Sequence, residues 1–280
     1  MTDKILQIDI NEVLKSRAPG LHRWLPKFMI RGLEKLICQE RMNSLLKENH
    51  GKTGADFSRG VLEYLSINKD IQGVENLPLP ENKESWRVIF CSNHPLGGLD
   101  GMTLIDYLSS KAPDGEIRFI VNDLLMNIPP LREVFLPVNT LKGVQSKDAA
   151  LEIDRVMQSE VPIIIFPAGL CSRLTKGKIQ DLKWNKMFIN RAINYQRDII
   201  PIHFSGKNSA FFYNFAKLRK SLKIPVNLEM SLLPREVFKN EGASFKITIG
   251  ERIPWQELEG GRLAEKTADS IREKVYSLEH

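Results

Sequence analysis

The sequence predicts an α/β protein, a single mostly parallel or mixed sheet of about seven strands flanked by helices and preceded by a helical segment. Three observations predict it. Beyond residue 86, apolar β-branched runs alternate with stretches of helical period, the order that builds strand–helix–strand units. One run, Pro162-Ile163-Ile164-Ile165-Phe166, is apolar without interruption, as expected of a strand covered on both sheet faces. The first 70 residues carry helical spacing instead.

Residues 1–70 form the expected helical segment. Pro26 suits a first helical position, and Phe28, Met29, Leu33, Leu36 and Ile37 then line one apolar face while Lys27, Arg31 and Lys35 recur on another. Between Lys15 and Lys47 there are eight basic side chains and two acidic ones. A basic amphipathic helix with Trp24 near its start either docks in a lipid headgroup interface or packs its apolar face on the main domain, and both can hold at once. On the first reading this is an N-terminal helical membrane-docking segment. Asp56 to Ser66 reads as another short helix, and the turn-rich stretch from Asn76 to Ser85 opens the main domain, 71–277. Strands are expected at 87–92, 117–121, 134–138, 162–166 and 199–204, and helices near 99–111, 147–159 and 183–195. The runs 226–233 and 245–250 alternate and read as antiparallel edge strands, and Glu259 to Leu278 as a closing helix. Residues 278–280 read as the remnant of a tag, which sets His280 aside.

Composition narrows the function. At 280 residues the chain can bury a substantial core, and a net charge of +6 favours acidic partners: membrane surface, phosphates, an acidic carrier protein or nucleic acid. Cys38, Cys91 and Cys171 are an odd number without paired spacing, so neither a disulfide framework nor a metal site is expected and a reducing cytoplasm fits. No signal peptide is visible, and no apolar run approaches the ~20 residues needed to span a bilayer. The basic clusters are scattered and lack the usual nucleic-acid motifs, so no nucleic acid is expected.

The chemistry concentrates in two stretches. The strand Val88-Ile89-Phe90-Cys91 breaks into Ser92-Asn93-His94-Pro95-Leu96-Gly97-Gly98-Leu99-Asp100-Gly101, after which helical period begins. A histidine at a strand tip is a candidate general base. Gly97 and Gly98 let the chain double back, and Asp100 then falls where it can accept the proton on the second ring nitrogen, fixing the tautomer and stabilising the imidazolium. The alternative is a surface histidine beside an aspartate that caps a helix. The second stretch, Pro167-Ala168-Gly169-Leu170-Cys171-Ser172-Arg173, follows the strand at 162–166 and precedes Lys176, Lys178, Lys183, Lys186 and Arg191. Amides around Gly169, the Ser172 hydroxyl and the planar Arg173 fork are candidates for an anion site.

Together these stretches resemble the glycerolipid acyltransferase superfamily, the 1-acylglycerol-3-phosphate acyltransferase type. Asn93-His94 followed by Asp100 is similar to its first block, Phe166-Pro167-x-Gly169 with Ser172-Arg173 to its Phe-Pro-Glu-Gly-Thr-Arg-Ser block, and Ile200-Pro201-Ile202 to its later Val-Pro-Val strand. The chain departs from that pattern. Five residues, not four, separate His94 from Asp100; Ala168 stands where the family has Glu; and Phe135-Leu136-Pro137-Val138-Asn139 lacks the family's phosphate-associated Arg, Lys142 being the nearest cation. With Asn-His-Pro-Leu-Gly-Gly-Leu-Asp-Gly, these departures resemble the divergent bacterial hemolysin-like branch associated with amino-acid lipids.

The resemblance implies direct acyl transfer from a thioester, on acyl carrier protein or coenzyme A, to the hydroxyl of an N-acyl amino-acid lipid or a lysophospholipid. His94 would be the general base and Asp100 its orienting partner. Asn93, Gly97 and Gly98 would shape the loop, and Gly169, Ser172 and Arg173 would hold the acceptor's anionic group. The positive end of the following helix would disfavour a protonated resting imidazole. No metal, cofactor or acyl-enzyme is required. A lipid acceptor requires a peripheral position on the cytoplasmic membrane's inner face, to which Gly206–Lys223 adds Phe211, Phe212, Tyr213 and Phe215 ahead of Lys217, Arg219, Lys220 and Lys223. Two alternatives stay open: a thioesterase or lipase with Cys171 or Ser172 as nucleophile, and a non-enzymatic lipid-binding peripheral protein.

Overall fold

Among the described residues, five α-helices lead into the sheet: α1 (Ile10–Arg17), α2 (Pro19–Trp24), α3 (Lys27–Leu36), α4 (Gln39–Glu48) and α5 (Gly54–Tyr64). The structure, a computed structural model, describes residues 6–17, 19–138, 147–175, 177–223 and 227–279. Lys142, Lys176 and His280 lie outside the described residues. Pro26 caps α3 from just outside it, with extended backbone. Helix α3 buries Ile30 and half-buries Leu33 and Leu36, but leaves Phe28 and Met29 exposed beside Trp24, which is 87 % exposed. The expected apolar face is thus divided between core and solvent.

The strands are β1 (Asn68–Gln72), β2 (Val88–Ser92), β3 (Arg118–Asn122), β4 (Phe135–Val138), β5 (Ile163–Ile165), β6 (Arg173–Thr175), β7 (Lys178–Gln180), β8 (Asp198–Phe204) and β9 (Ser244–Ile249). Seven of them form one mixed sheet in the order β1-β9-β8-β2-β5-β3-β4. Strands β8, β2, β5, β3 and β4 run parallel, β9 is antiparallel to β8, and β1 pairs parallel with β9. The remaining helices are α6 (Leu99–Ser109), α7 (Lys147–Gln158), α8 (Met187–Asn194), α9 (Ala210–Ser221), α10 (Leu233–Lys239) and α11 (Ala264–Ser277).

Two cores sandwich the sheet. Val88 and Phe90 of β2, with Phe119, Ile164 and Ile200, face α4, α5 and α6; Ile89 and Cys91 of the same strand, with Ile120, Ile163, Ile165 and Ile199, face α7, α8 and α11. Alternate side chains point to opposite faces and both faces are covered, which is why these strands are apolar throughout. A third, smaller core joins Cys171, Phe212, Tyr213 and Leu232, with Leu36 of α3 packed against it.

Expectations at the sheet margin are corrected. Of the run 226–233, whose first residue lies outside the described ones, 228–232 is not a strand but a 3-10 turn leading into α10, whose first turn contains Pro234. Its inward residues Glu229, Leu232 and Glu236 are three and four apart, a helical spacing. Strand β9 is antiparallel to β8 as expected but is not the edge, because the polar Asn68-Lys69-Asp70-Ile71-Gln72 adds β1 outside it, within the segment expected to be helical. The stretch after Cys171, to which the sequence assigns no element, begins with the antiparallel hairpin β6–β7.

Fully buried Arg197 fastens the bottom of the sheet. Its guanidinium donates to the carbonyls of Val156, Met157 and Ser159 at the end of α7, and to those of Val88 and Val161. These interactions satisfy orphan helix carbonyls and the strand entries with one planar donor set.

Candidate active site

Strand β2 ends at Ser92, and the next three residues place the histidine. The Asn93 side chain continues the ladder to β8: its amide nitrogen donates to the Phe204 carbonyl at 2.9 Å and its oxygen accepts from Phe204 N–H at 2.7 Å. The strand tip is therefore clamped, and His94 projects from a fixed point. Gly97 has φ of +80°, and a Cβ there would lie 2.8 Å from Leu233 Cδ2, so turn and packing both require glycine. A Cβ on Gly98 would lie 3.5 Å from Val237 Cγ2, ordinary contact.

This turn delivers Asp100, in the first turn of α6, to the ring: His94 Nδ1 and Asp100 Oδ2 are 2.8 Å apart. The five-residue His–Asp spacing thus brings the carboxylate onto the ring, with Gly97 in the left-handed region of the turn. Asp100 is fully buried and also accepts from the backbone N–H groups of Leu96 (2.8 Å), Gly97 (3.2 Å) and Gly101 (2.9 Å). Burial alone would raise its pKa; the charge and hydrogen bond of His94, with the Leu96 and Gly101 amides, outweigh burial and hold it below the ordinary carboxylate value. Two of the backbone donors, Leu96 and Gly97, belong to the turn before α6, and the third, Gly101, to its first turn. An ionised Asp100 on Nδ1 leaves Nε2 of His94 as the atom that can take a proton from a substrate.

The second stretch lies against the first. Phe166 stacks on the His94 ring, with centroids 4.1 Å apart and planes inclined by 18°. Ser172 N–H donates to the His94 carbonyl at 2.7 Å. Gly101, the last residue of the motif and one assigned no role from it, packs against the same aromatics: a Cβ there would stand 3.1 Å from Phe119 and 3.7 Å from Phe166. Phe119, Phe166, Met102, Leu233 and Val237 thus provide apolar surroundings for the turn.

The residues expected to hold an anion are differently engaged. Gly169 N–H closes a turn on the Phe166 carbonyl at 2.9 Å, and the Ser172 hydroxyl donates to Asp181 Oδ1 at 2.6 Å. Arg173 meets the Cys171 carbonyl at 2.6 Å and Glu229 Oε1 at 3.1 Å, and stacks on Phe212 at 5.4 Å. Glu229 is fully buried and also takes Arg219, at 2.9 Å. Two guanidiniums share one carboxylate, so this cluster carries a net positive charge. Glu229 and Arg219 come from the stretch whose alternation suggested a strand and from a helix read as a docking element, so no local signal joined them to Arg173. Of the basic run after Arg173, Lys183 pairs with Glu265 and Arg191 with Asp154, away from Arg173.

The candidate nucleophiles are poorly placed. Burial pushes the Cys171 thiol up to about 11, against the opposing influence of Arg173, so it is protonated near neutrality. The hydroxyl proton of Ser172 is spent on Asp181 rather than on His94. His203 is buried edge-on to Tyr276, 6.0 Å between centroids.

An α/β sheet with an imidazole–carboxylate pair at a strand's carboxyl end defines an enzyme-like site able to activate a hydroxyl or amine. Residues 12–280 match the acyltransferase family model, and the chain belongs to that family. It is 40 % identical over 276 residues to the lyso-glycine lipid O-acyltransferase of Bacteroides thetaiotaomicron, covering 99 % of each chain. It is equally 40 % identical to the lyso-glycine lipid O-acyltransferase of Phocaeicola vulgatus, covering 99 % of this chain and 96 % of that one. The 1-acyl-sn-glycerophosphate acyltransferase PlsC of Thermotoga maritima matches in structure with a TM-score of 0.47 at 17 % identity, over 95 % of this chain and 91 % of that one.

Proposed function

We propose that this acyltransferase moves a fatty acyl group from a thioester, on acyl carrier protein or coenzyme A, to the free hydroxyl of an N-acyl glycine lipid. The acceptor is drawn from its 40 % identical relatives. The observation that carries the mechanism is the 2.8 Å contact between His94 Nδ1 and a fully buried Asp100. His94 Nε2 takes the acceptor's hydroxyl proton as the oxygen attacks the thioester carbonyl. The tetrahedral intermediate collapses by breaking the C–S bond, and the leaving thiolate takes the proton from the imidazolium, giving ester and free thiol. Asp100 holds the tautomer and faces the transient positive charge. No covalent acyl-enzyme forms, in keeping with the burial of Cys171 and the engagement of Ser172.

The net positive cluster of Arg173, Glu229 and Arg219 suits the acceptor's carboxylate. The reaction takes place on the inner face of the cytoplasmic membrane. Among the described residues no helix is long and apolar enough to cross a membrane, so docking falls to exposed side chains: Trp24 and Phe28 from the N-terminal helices and Phe211, Leu218 and Leu222 from α9 and its end. The two regions meet where Leu36 packs against the Phe212–Tyr213 core, and exposed Lys217, Lys220 and Lys223 add charge for anionic lipid.

The test is transfer of a labelled acyl group to lyso-glycine lipid and lysophosphatidate in parallel, from each thioester, with wild type and His94→Ala. The expected result is transfer to lyso-glycine lipid that is lost in His94→Ala. Transfer confined to lysophosphatidate refutes the acceptor, and an active His94→Ala refutes the base.

A further inference from the structure

His94 is held by more than its ring. Its backbone N–H donates to Asp181 Oδ1 at 3.2 Å, while its carbonyl accepts from Ser172 at 2.7 Å. Asp181, from the segment between β7 and α8, is 4 % exposed. Besides the His94 amide it accepts the Ser172 hydroxyl at 2.6 Å and the Trp184 indole N–H at 3.0 Å. Its own main chain is tied to α11: the N–H donates to the Tyr276 hydroxyl at 2.7 Å, and the carbonyl accepts from Arg272 at 2.9 Å.

We infer that Asp181 is a positioning residue for the base: it fixes the His94 backbone against the loop that carries Phe166 and Arg173, and sets a second buried negative charge near the imidazolium as it forms. The inference rests on the reading of His94 as general base. A carboxylate serves here where an amide does not. Three N–H or O–H donors converge on its two oxygens, whereas an asparagine would turn its NH2 toward one of them. Burial raises the Asp181 pKa, opposed by bonds from Ser172, Trp184 and the His94 amide and by the His94 charge. A buried anion with that environment gains when the neighbouring imidazole becomes cationic.

The test uses Asp181→Asn together with the double variant Asp181→Asn/Trp184→Phe, in which the amide NH2 no longer opposes an indole N–H. Trp184→Phe alone is the control. Kinetics are measured with acyl thioester and lyso-glycine lipid from pH 5 to pH 9. Both Asn variants are expected to lose about 10- to 100-fold in kcat with KM for the acceptor changed less than about threefold, the signature of a displaced base. The acid limb of the pH–rate profile is expected to move down by roughly half a unit, because a negative charge near the imidazolium has gone. The titratable or charged groups on that side are Asp100 from α6, Asp181, and, one contact further out, Cys171, Arg173, and Arg272 and Tyr276 from α11. A merely structural role would leave the limb in place. A kcat within twofold of wild type, a change confined to KM, or an unmoved acid limb overturns the inference. So does failure of the double variant to fold where Trp184→Phe folds, since its amide meets every remaining donor. An inactive His94→Ala beside a wild-type-like Asp181→Asn refutes Asp181 alone; an active His94→Ala refutes the base and this inference together.

Discussion

Replacing Asp100 by Asn keeps the side chain's shape and removes its charge. The amide has one favourable orientation. Oδ2 receives three donors, from His94, Leu96 and Gly97, and Oδ1 receives only Gly101 N–H. The NH2 therefore turns to the Oδ1 position and opposes one donor instead of three, leaving one buried N–H orphaned at about 1–3 kcal/mol. The carbonyl oxygen still accepts from the ring, but through a neutral bond. A hydrogen bond to a charged group contributes about 1.5–3 kcal/mol against 0.5–1.5 for a neutral one, and the difference grows when the imidazole becomes imidazolium. The orphaned amide is common to ground and transition states, so the charged-bond difference sets the rate: about 1–1.5 kcal/mol or more at the transition state, about tenfold or more in kcat. Steady-state kinetics on lyso-glycine lipid should show that fall with KM little changed. A kcat within threefold of wild type would refute a base oriented by Asp100. Stability supplies a second check. The native pKa of Asp100 lies below its ordinary value of 3.8, so its contribution is complete above that value and is lost as the pH falls through the native one. The gap in Tm between wild type and Asp100→Asn should be constant near pH 7 and narrow below about pH 4; a gap that widens on acidification would contradict the ionised, buried carboxylate.

Two further predictions concern parts away from the base. Arg197→Leu removes a donor set serving five backbone carbonyls and should destabilise the fold by about 3–5 kcal/mol in urea unfolding, far more than an ordinary surface substitution; a change under 1 kcal/mol would contradict its keystone role. Trp24→Glu/Phe28→Glu and Phe211→Glu/Leu218→Glu should each weaken sedimentation with anionic vesicles by about tenfold or more, since each places two charges where apolar side chains would enter the headgroup layer. Undiminished vesicle binding in both would remove these faces from the docking surface.

The sheet's centre was legible because its residues are constrained twice. Val88 to Cys91 and Ile163 to Ile165 must satisfy a core on each face, and that double demand leaves an apolar run that reads only as a buried strand. Its margin was not. Asn68-Lys69-Asp70-Ile71-Gln72 has no apolar alternation, because β1 is an edge strand held by its main-chain ladder to β9, and charge at an edge discourages further pairing. The residues 228–232 misled for the opposite reason. Leucine, glutamate, methionine, serine and leucine alternate as a strand would, yet the glutamate is the inward residue, neutralised by arginines 56 and 10 positions away. Binary patterning reads polarity as exposure, and a buried ion pair inverts that sign.

The same distinction runs through the site. The proposed base was legible because everything that would make it lies within one short turn: strand, clamp, histidine, two glycines and carboxylate are contiguous, so a local turn brings Nδ1 and the carboxylate together. The groups that surround it are brought in from a distance. Asp181 reaches His94 across 87 residues of sequence, and Tyr276 reaches Asp181 across 95. In the sequence Asp181 is the single acidic residue between Lys176 and Arg191, and no local pattern ties it to His94. Its meaning comes from burial, which turns an exposed counter-charge into a fixed anion beside the base. The general point for this fold is that reactivity is encoded locally and its tuning is not: a turn of ten residues assembles the imidazole–carboxylate pair, and the hairpin and the last helix determine how rigidly, and in what field, the imidazole is held.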